Sequence, residues 1–215
     1  MDWQPMVLLG AYHGTNPGMG WLFAVALGMQ HGSARGVWRA LPPIALGHAA
    51  SVGVVVLTAT LAGFVVPLDA LRVLVALMLV TLGLYRLWRH RHPRYGGMQV
   101  GFRDLTVWSF LMASAHGAGF MVLPFVMPAP AALSAASHVH ASHGPVASAN
   151  VVTNVATFGA TAVALHTLAY FAVMCAVAWI VYRKLGLGVL RQAWYNTDWL
   201  WAGALIVTGV VVLFR

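Results

Sequence analysis

Histidine is the residue type in this chain that could do chemistry in an apolar environment. The chain has ten histidines but only four acidic residues, all of them aspartate. Neutral imidazole binds borderline divalent metals and changes its charge near physiological pH. A polar ring in an apolar run must find a partner, so we predict that at least two of the rings in such runs line one functional site. The histidines in apolar runs are His13, His48, His116 and His166.

The first of these histidines lies in a stretch that conflicts with a regular helix, LLGAYHGTNPGMGW at residues 8–21. Pro17 has no N–H and its ring clashes with the preceding turn, which would free the carbonyl of His13. We predict a helix broken near Asn16-Pro17, whose freed carbonyls face a binding cavity together with His13 and Asn16. The alternative is a kinked helix that only packs. The expected hinge positions are Gly14, Pro17, Gly18 and, in the second half of the chain, Gly117.

The composition is that of a chain surrounded by lipid. Of its 215 residues, 60% are hydrophobic and 7% are charged, and the mean hydropathy is +0.80. These values predict an all-α polytopic membrane protein whose main partner is the lipid bilayer. The twelve Lys and Arg residues lie almost entirely in short connections between apolar runs, so we expect no nucleic-acid partner.

The apolar runs predict six transmembrane helices and their orientation. Ten Lys and Arg residues lie in the first, third and fifth connections and two on the opposite side. By the positive-inside rule both termini are expected to be extracytoplasmic, in a bacterial inner (plasma) membrane. The predicted spans lie near 6–28, 43–65, 69–88, 105–128, 156–181 and 197–214.

The two halves of the chain resemble each other in order. LLGAYHG at 8–14 aligns with LMASAHG at 111–117, and DALRVLVALMLVTLGLYR at 69–86 aligns with DWLWAGALIVTGVVVLFR at 198–215. A repeat with an odd number of spans must alternate its orientation, so we predict an inverted 3+3 repeat with halves 1–95 and 96–215. A weaker alignment pairs His48 with His166 and places them on opposite sides of the membrane midplane.

Residues 8–95 resemble the nickel/cobalt exporter family of the lysine-exporter superfamily. The resemblance rests on the pattern of Gly10, His13-Gly14 and Pro17-Gly18 in the first predicted span, on His48 in the second, and on the basic exit from the third. It implies a six-helix exporter of divalent nickel or cobalt.

A second group of histidines lies in the outer loop predicted at 129–152. The sequence HVHASH contains His138, His140 and His143, and such tracts bind Ni(II), Zn(II) or Cu(II). The alternative is that these are solvated loop residues without a function.

These patterns favour a small secondary transporter, and specifically an exporter, of a transition-metal cation or a small solute. The alternative is a membrane-embedded metal-binding accessory subunit or a His-metal enzyme of a larger complex. HxxxH and HxxHH spacings, which such enzymes use, do not occur in the chain, so we expect no enzymatic activity. We expect no resident cofactor beyond a transported or bound divalent metal (Ni, Co, Zn) or Cu, and a homo-oligomer is left open. The predicted binding residues are His13, Asn16, His48, His116 and His166.

Overall fold

The computed structural model describes residues 3–62, 67–88, 101–126, 145–185 and 190–213, and within these ranges all regular structure is helical. The helices are α1 (Gln4–Thr15), α2 (Trp21–Gln30), α3 (Ala34–Ala62), α4 (Leu68–Trp88), α5 (Phe102–Ala115), α6 (Ala118–Val126), α7 (Pro145–Ile180) and α8 (Leu190–Leu213). A short 3-10 turn, Pro17–Met19, separates α1 from α2, and a π-helical turn, Val181–Leu185, follows α7.

Two stretches among the described residues are long and apolar enough to cross a membrane, Ala34–Ala62 and Ala156–Lys184. Each has 29 residues, or about 43 Å at the helical rise, which exceeds the hydrocarbon thickness of a bilayer. Helices α5 and α6 form a third candidate if they count as one span, with a bend of 61° between them. The predicted all-helical architecture with apolar spans is confirmed at this level.

The first predicted span is broken at the expected place. Helix α1 ends at Thr15, and Asn16 is extended, with φ −73° and ψ 121°. The Asn16 side chain caps the following turn, because its Oδ1 accepts the N–H of Gly18 at 2.8 Å. Gly20 then takes a φ of 128°, which favours glycine, before α2 begins. The break is therefore built from local chemistry.

The carbonyl groups of His13 and Thr15 in this break accept hydrogen bonds within the chain, so the prediction that the His13 carbonyl is freed is wrong. The His13 carbonyl accepts the N–H of Asn16 at 3.2 Å. The Thr15 carbonyl accepts Nε1–H of Trp21 at 3.0 Å. Any backbone polar group buried at this depth needs a partner, and the chain supplies these two locally.

Helix α3 begins nine residues before the predicted span at 43–65, and this changes the position of His48. The helix keeps Pro42 and Pro43 in its interior, although proline cannot donate to the carbonyl four residues earlier. His48 is consequently the central residue of 34–62, with fourteen residues on each side. Helix α7 likewise begins early, at Pro145, inside the predicted outer loop 129–152.

Close packing between specific helix pairs forms the core. Helix α1 packs on α7, α5 packs on α3, α4 packs on α8, and α3 also contacts α7. Glycines permit the closest of these contacts, since a Cβ at Gly10 would overlap the carbonyl oxygen of His166 and one at Gly14 would lie 2.6 Å from that of Tyr170. In lipid there is no hydrophobic driving force between helices, so their association relies on close packing. Small residues permit that packing because they let two helix backbones approach each other. The contact brings the histidine of α1 against the histidine of α7.

Candidate functional site

Three of the predicted histidines meet in the centre of the molecule. His13, His48 and His166 come from α1, α3 and α7, and each is 0% exposed. The ring centroid of His13 lies 4.9 Å from that of His166 and 5.5 Å from that of His48. The Nε2 atoms of His48 and His166 are 3.3 Å apart. We call these three residues the histidine cluster.

The protonation of His13 follows from its backbone contact. Its Nδ1 lies 2.7 Å from the carbonyl oxygen of Leu9, one turn earlier in α1. Because that oxygen can only accept, Nδ1 must carry the hydrogen, and in the neutral ring Nε2 then holds the lone pair. A ring held in this way presents a metal-binding or proton-accepting nitrogen away from its own helix.

His48 and His166 form a pair with unused hydrogen-bonding capacity. One Nε2 must donate and the other accept across the 3.3 Å contact, so the two neutral rings have opposite tautomers. Within the described residues, Nδ1 of His48 is buried and makes no hydrogen bond. The His166 ring lies beside the backbone of Met6, but its Nδ1 does not reach hydrogen-bonding geometry. An unsatisfied buried polar group costs about 1–3 kcal/mol, so the fold bears a cost to keep this pair.

The pair also has the spacing of two metal ligands. Two nitrogens on a tetrahedral metal at 2.0–2.1 Å are about 3.3 Å apart. Within the described part of the chain, however, no group of three or more His, Cys, Asp or Glu side chains is arranged to hold a metal ion. The histidine cluster therefore offers two donors at ligand spacing, with His13 as the adjacent third imidazole.

His116 lies at the break of the first span rather than in the histidine cluster. It caps the end of α5, and its Nδ1 contacts the Met112 carbonyl at 2.7 Å. Its Nε2 would be 3.5 Å from a Cβ at Gly18. Gly117 follows with a φ of 71°, so α5 breaks from α6 at this point. The two helix breaks thus face each other across His116.

The same Nδ1 bond occurs at a third His-Gly pair outside the predicted site. Nδ1 of His31 lies 2.7 Å from the carbonyl of Leu27, and Gly32 has a φ of 58°. This bond is therefore a local property of histidine near a helix end and is no evidence for an internal repeat.

Sequence reasoning missed Tyr170, which connects the cluster to the break. Its ring stacks on His48 with centroids 3.9 Å apart, and its hydroxyl donates to the carbonyl of Met19 at 2.6 Å. A signal was present, because Tyr170 follows His166 by four residues and must share its helix face.

Three serines that the sequence analysis also missed hold α3 against α5. The hydroxyl oxygens of Ser51 and Ser114 are 2.8 Å apart. Ser109 donates to the carbonyl of Ile44 at 2.6 Å. Hydrogen bonds between helices of this kind satisfy polar groups that have no access to water.

We expect Tyr170→Phe to lower thermal stability while the stack on His48 is kept. The substitution removes one buried hydrogen bond and leaves the Met19 carbonyl without this donor, at a cost of about 1–3 kcal/mol. Thermal unfolding of purified protein in detergent measures the effect. Tyr182→Phe, in the π-helical turn after α7, is the matched control, and equal melting temperatures for the two variants would contradict the assignment.

The remaining predicted histidines, His138, His140 and His143, lie outside the described residues. Comparison of the chain with family models, with curated proteins and with solved structures finds no match.

Proposed function

We propose that this protein is a small membrane transporter that moves a transition-metal cation or a small solute through the histidine cluster. The observation that carries the proposal is the His48–His166 pair, fully buried, with Nε2 atoms 3.3 Å apart and His13 beside it. The pair lies near the middle of two long apolar helices, where a polar group without a function would be costly.

The ligand set favours a cargo over a resident metal. The imidazoles of His48 and His166 are separated by the distance expected for two ligands of one metal ion, and His13 lies beside them. Within the described part of the chain, no carboxylate completes a group of three or more ligands around them. A transport site must bind its cargo well enough to admit it and weakly enough to release it. Two neutral nitrogen donors fit that requirement, whereas a permanent site has three or four ligands.

We further propose six spans arranged as an inverted 3+3 repeat, with halves 1–95 and 96–215. Support comes from the packing: α1 on α7 and α5 on α3 are the pairs that a two-fold exchange of the halves would interconvert. The first span of each half is broken, at Asn16 and at His116. His48 and His166, the weakest of the aligned pairs, face each other with ring planes 13° apart.

The direction and cargo of transport are proposed from the resemblance of residues 8–95 to nickel/cobalt exporters. Nickel and cobalt are the first candidates, and zinc and copper are also borderline or soft enough for imidazole. The alternative is a membrane-embedded accessory subunit, or a His-metal enzyme, that holds its metal permanently.

Purified protein in proteoliposomes tests the proposal directly. We expect accumulation of at least one of Ni(II), Co(II), Zn(II) or Cu(I) in excess of empty vesicles, and a metal content well below one ion per chain after dialysis against a chelator. One tightly held ion per chain, without accumulation of any of these ions, would contradict the transporter and support the accessory subunit or enzyme.

The proposed topology has its own test, based on the split of Lys and Arg residues. In a Cys175→Ser background, a cysteine at position 140 should react with an impermeant thiol reagent in intact bacterial cells. A cysteine at position 91 should react only after the cells are opened, because its loop carries the positive charges that are retained in the cytoplasm. Labelling at 91 but not at 140 in intact cells would reverse the orientation.

A further inference from the structure

The turn between α2 and α3 encloses a second polar site, remote from the histidine cluster. Gly36 packs against Gly28, and a Cβ added at Gly36 would lie 3.0 Å from the Cα atom of Gly28. The two helices therefore approach each other closely. Gly32 takes a φ of 58°, and the N–H of Ser33 bonds the Gly28 carbonyl at 3.0 Å. The Gly28 carbonyl at the end of α2 is thus occupied within the turn, and the N–H of Gly36 at the start of α3 donates to the carbonyl of Ser33 at 3.0 Å.

A cavity of about 460 Å³ lies against this turn. His31, Ser33, Arg35 and Arg39 form its polar side, and residues such as Leu27 and Phe102 form an apolar wall. Arg35 and Arg39 are separated by one helical turn, so both can reach one ligand. Both arginines line the cavity and are exposed to solvent.

The cavity carries an excess of positive charge. The chain has twelve Lys and Arg residues against four aspartates, so most of its arginines cannot pair with a carboxylate. No aspartate is among the described residues that line the cavity, and Asp104, two residues from the lining residue Phe102, caps the start of α5 through its Oδ2, which accepts the N–H of Gly101 at 3.0 Å. The two guanidinium groups therefore favour an anion.

The donors in the cavity suit a phosphate better than a carboxylate. Each guanidinium presents a planar fork of N–H groups, and Ser33 adds a hydroxyl at the positive end of a 29-residue helix. A phosphate has three or four oxygens that can accept from all of these groups, whereas a carboxylate has two. We propose that the cavity at the α2–α3 turn binds a phosphate group. The proposal does not depend on transport by the histidine cluster.

Two sources could supply this phosphate. Arg35 and Arg39 lie in the first two turns of α3, at the end of the helix that the distribution of basic residues predicts to face the cytoplasm, where anionic lipid headgroups attract arginines near the membrane surface. A soluble phosphate compound of the cytoplasm would use the same donors. The apolar wall formed by Leu27 and Phe102 could accommodate an acyl chain, but it is equally compatible with a soluble ligand.

Binding to full-length purified protein separates the two sources. Native mass spectrometry with phosphatidylglycerol measures retention of a lipid, and calorimetry with inorganic pyrophosphate measures binding of a soluble phosphate. The test variant is Arg35→Gln/Arg39→Gln, and the control is Arg183→Gln, whose guanidinium lies 5.2 Å from the Trp179 ring and does not line the cavity.

We expect the double variant to lose about tenfold or more in affinity for at least one of the two probes, since it removes hydrogen bonds to a charged group. The control should stay within about twofold, because its charge lies elsewhere. Loss of lipid retention alone identifies a headgroup, and loss of pyrophosphate binding alone identifies a soluble ligand. Failure of both probes to bind the parent protein, or equal losses in the double variant and the control, would overturn the proposal. A substitution Arg35→Lys/Arg39→Lys, which keeps the charge, should restore part of the affinity and rules out misfolding as the cause.

Discussion

Alanine at position 48 or at position 166 is expected to abolish metal accumulation, and the double substitution is expected to be no worse than either single one. In the proposed site the two Nε2 atoms, 3.3 Å apart, form one ligand pair, so removal of either nitrogen leaves a single donor. Substitutions at independent sites would add in free energy and multiply in rate, whereas two residues of one unit do not. The measurement is accumulation in proteoliposomes, normalised to reconstituted protein.

Controls in the same helices separate this effect from general damage. Thr60→Ala in α3 and Thr161→Ala in α7 each remove a 2.8 Å hydrogen bond to the carbonyl one turn earlier, and neither residue contacts the cluster. Both variants should accumulate metal as the parent protein does. Normal accumulation by His48→Ala and His166→Ala, at normal protein levels, would refute the cluster as the transport site.

The effect of a substitution at His166 on the melting temperature should differ from its effect on transport. His166→Leu fills most of the space of the ring but removes a polar group that is not fully hydrogen-bonded in the core. We expect the melting temperature to change little while transport is lost, because relief of the buried His166 imidazole is offset by the loss of the hydrogen bond to Nε2 of His48. A large fall in melting temperature would show that the histidine is structural.

Alanine at Gly10 and Gly14 is expected to have the largest effect on folding. A Cβ at either position meets a backbone carbonyl of α7, which cannot move aside as a flexible side chain could. The substitutions therefore force α1 away from α7 and separate His13 from His166. Overpacking of this kind costs about 1–3 kcal/mol at each site, so the double variant should lose about 2–6 kcal/mol of a folding free energy that is typically about 5–15 kcal/mol, and its melting temperature should fall sharply. Fluorescence-detected size exclusion with a temperature ramp measures this loss.

Alanine substitutions at two other glycines provide a control in which the protein should become more stable instead of less stable. A Cβ at Gly53 in α3 or at Gly203 in α8 would meet no atom within 4 Å. Alanine there restricts the unfolded chain without a clash and should stabilise by about 0.5–1 kcal/mol. Equal melting temperatures for Gly10→Ala and Gly53→Ala would contradict the close contact of α1 with α7.

Hydropathy alone was sufficient to predict the helical class and the presence of long apolar helices. It was least accurate at the helix ends, because the predicted span begins at residue 43, whereas α3 begins at Ala34 and passes through Pro42 and Pro43. A helix tolerates a proline when packing on both sides outweighs the lost hydrogen bond, and a sequence does not report that packing. As a result His48, which is the sixth residue of the predicted span 43–65, is the central residue of α3.

The break of the first helix was determined by the sequence itself. Asn16 accepts from a donor two residues away, Pro17 lacks an N–H, and Gly20 adopts a positive φ, so every cause lies within five residues. The composition of the site was decided only in the tertiary structure. His48 and His166 are 118 residues apart in sequence and Tyr170 is 151 residues from Met19, so their contacts depend on how closely the helices pack. Local rules fix where a helix bends, but which rings meet depends on glycines such as Gly10, whose missing side chain matters only when another helix lies against it.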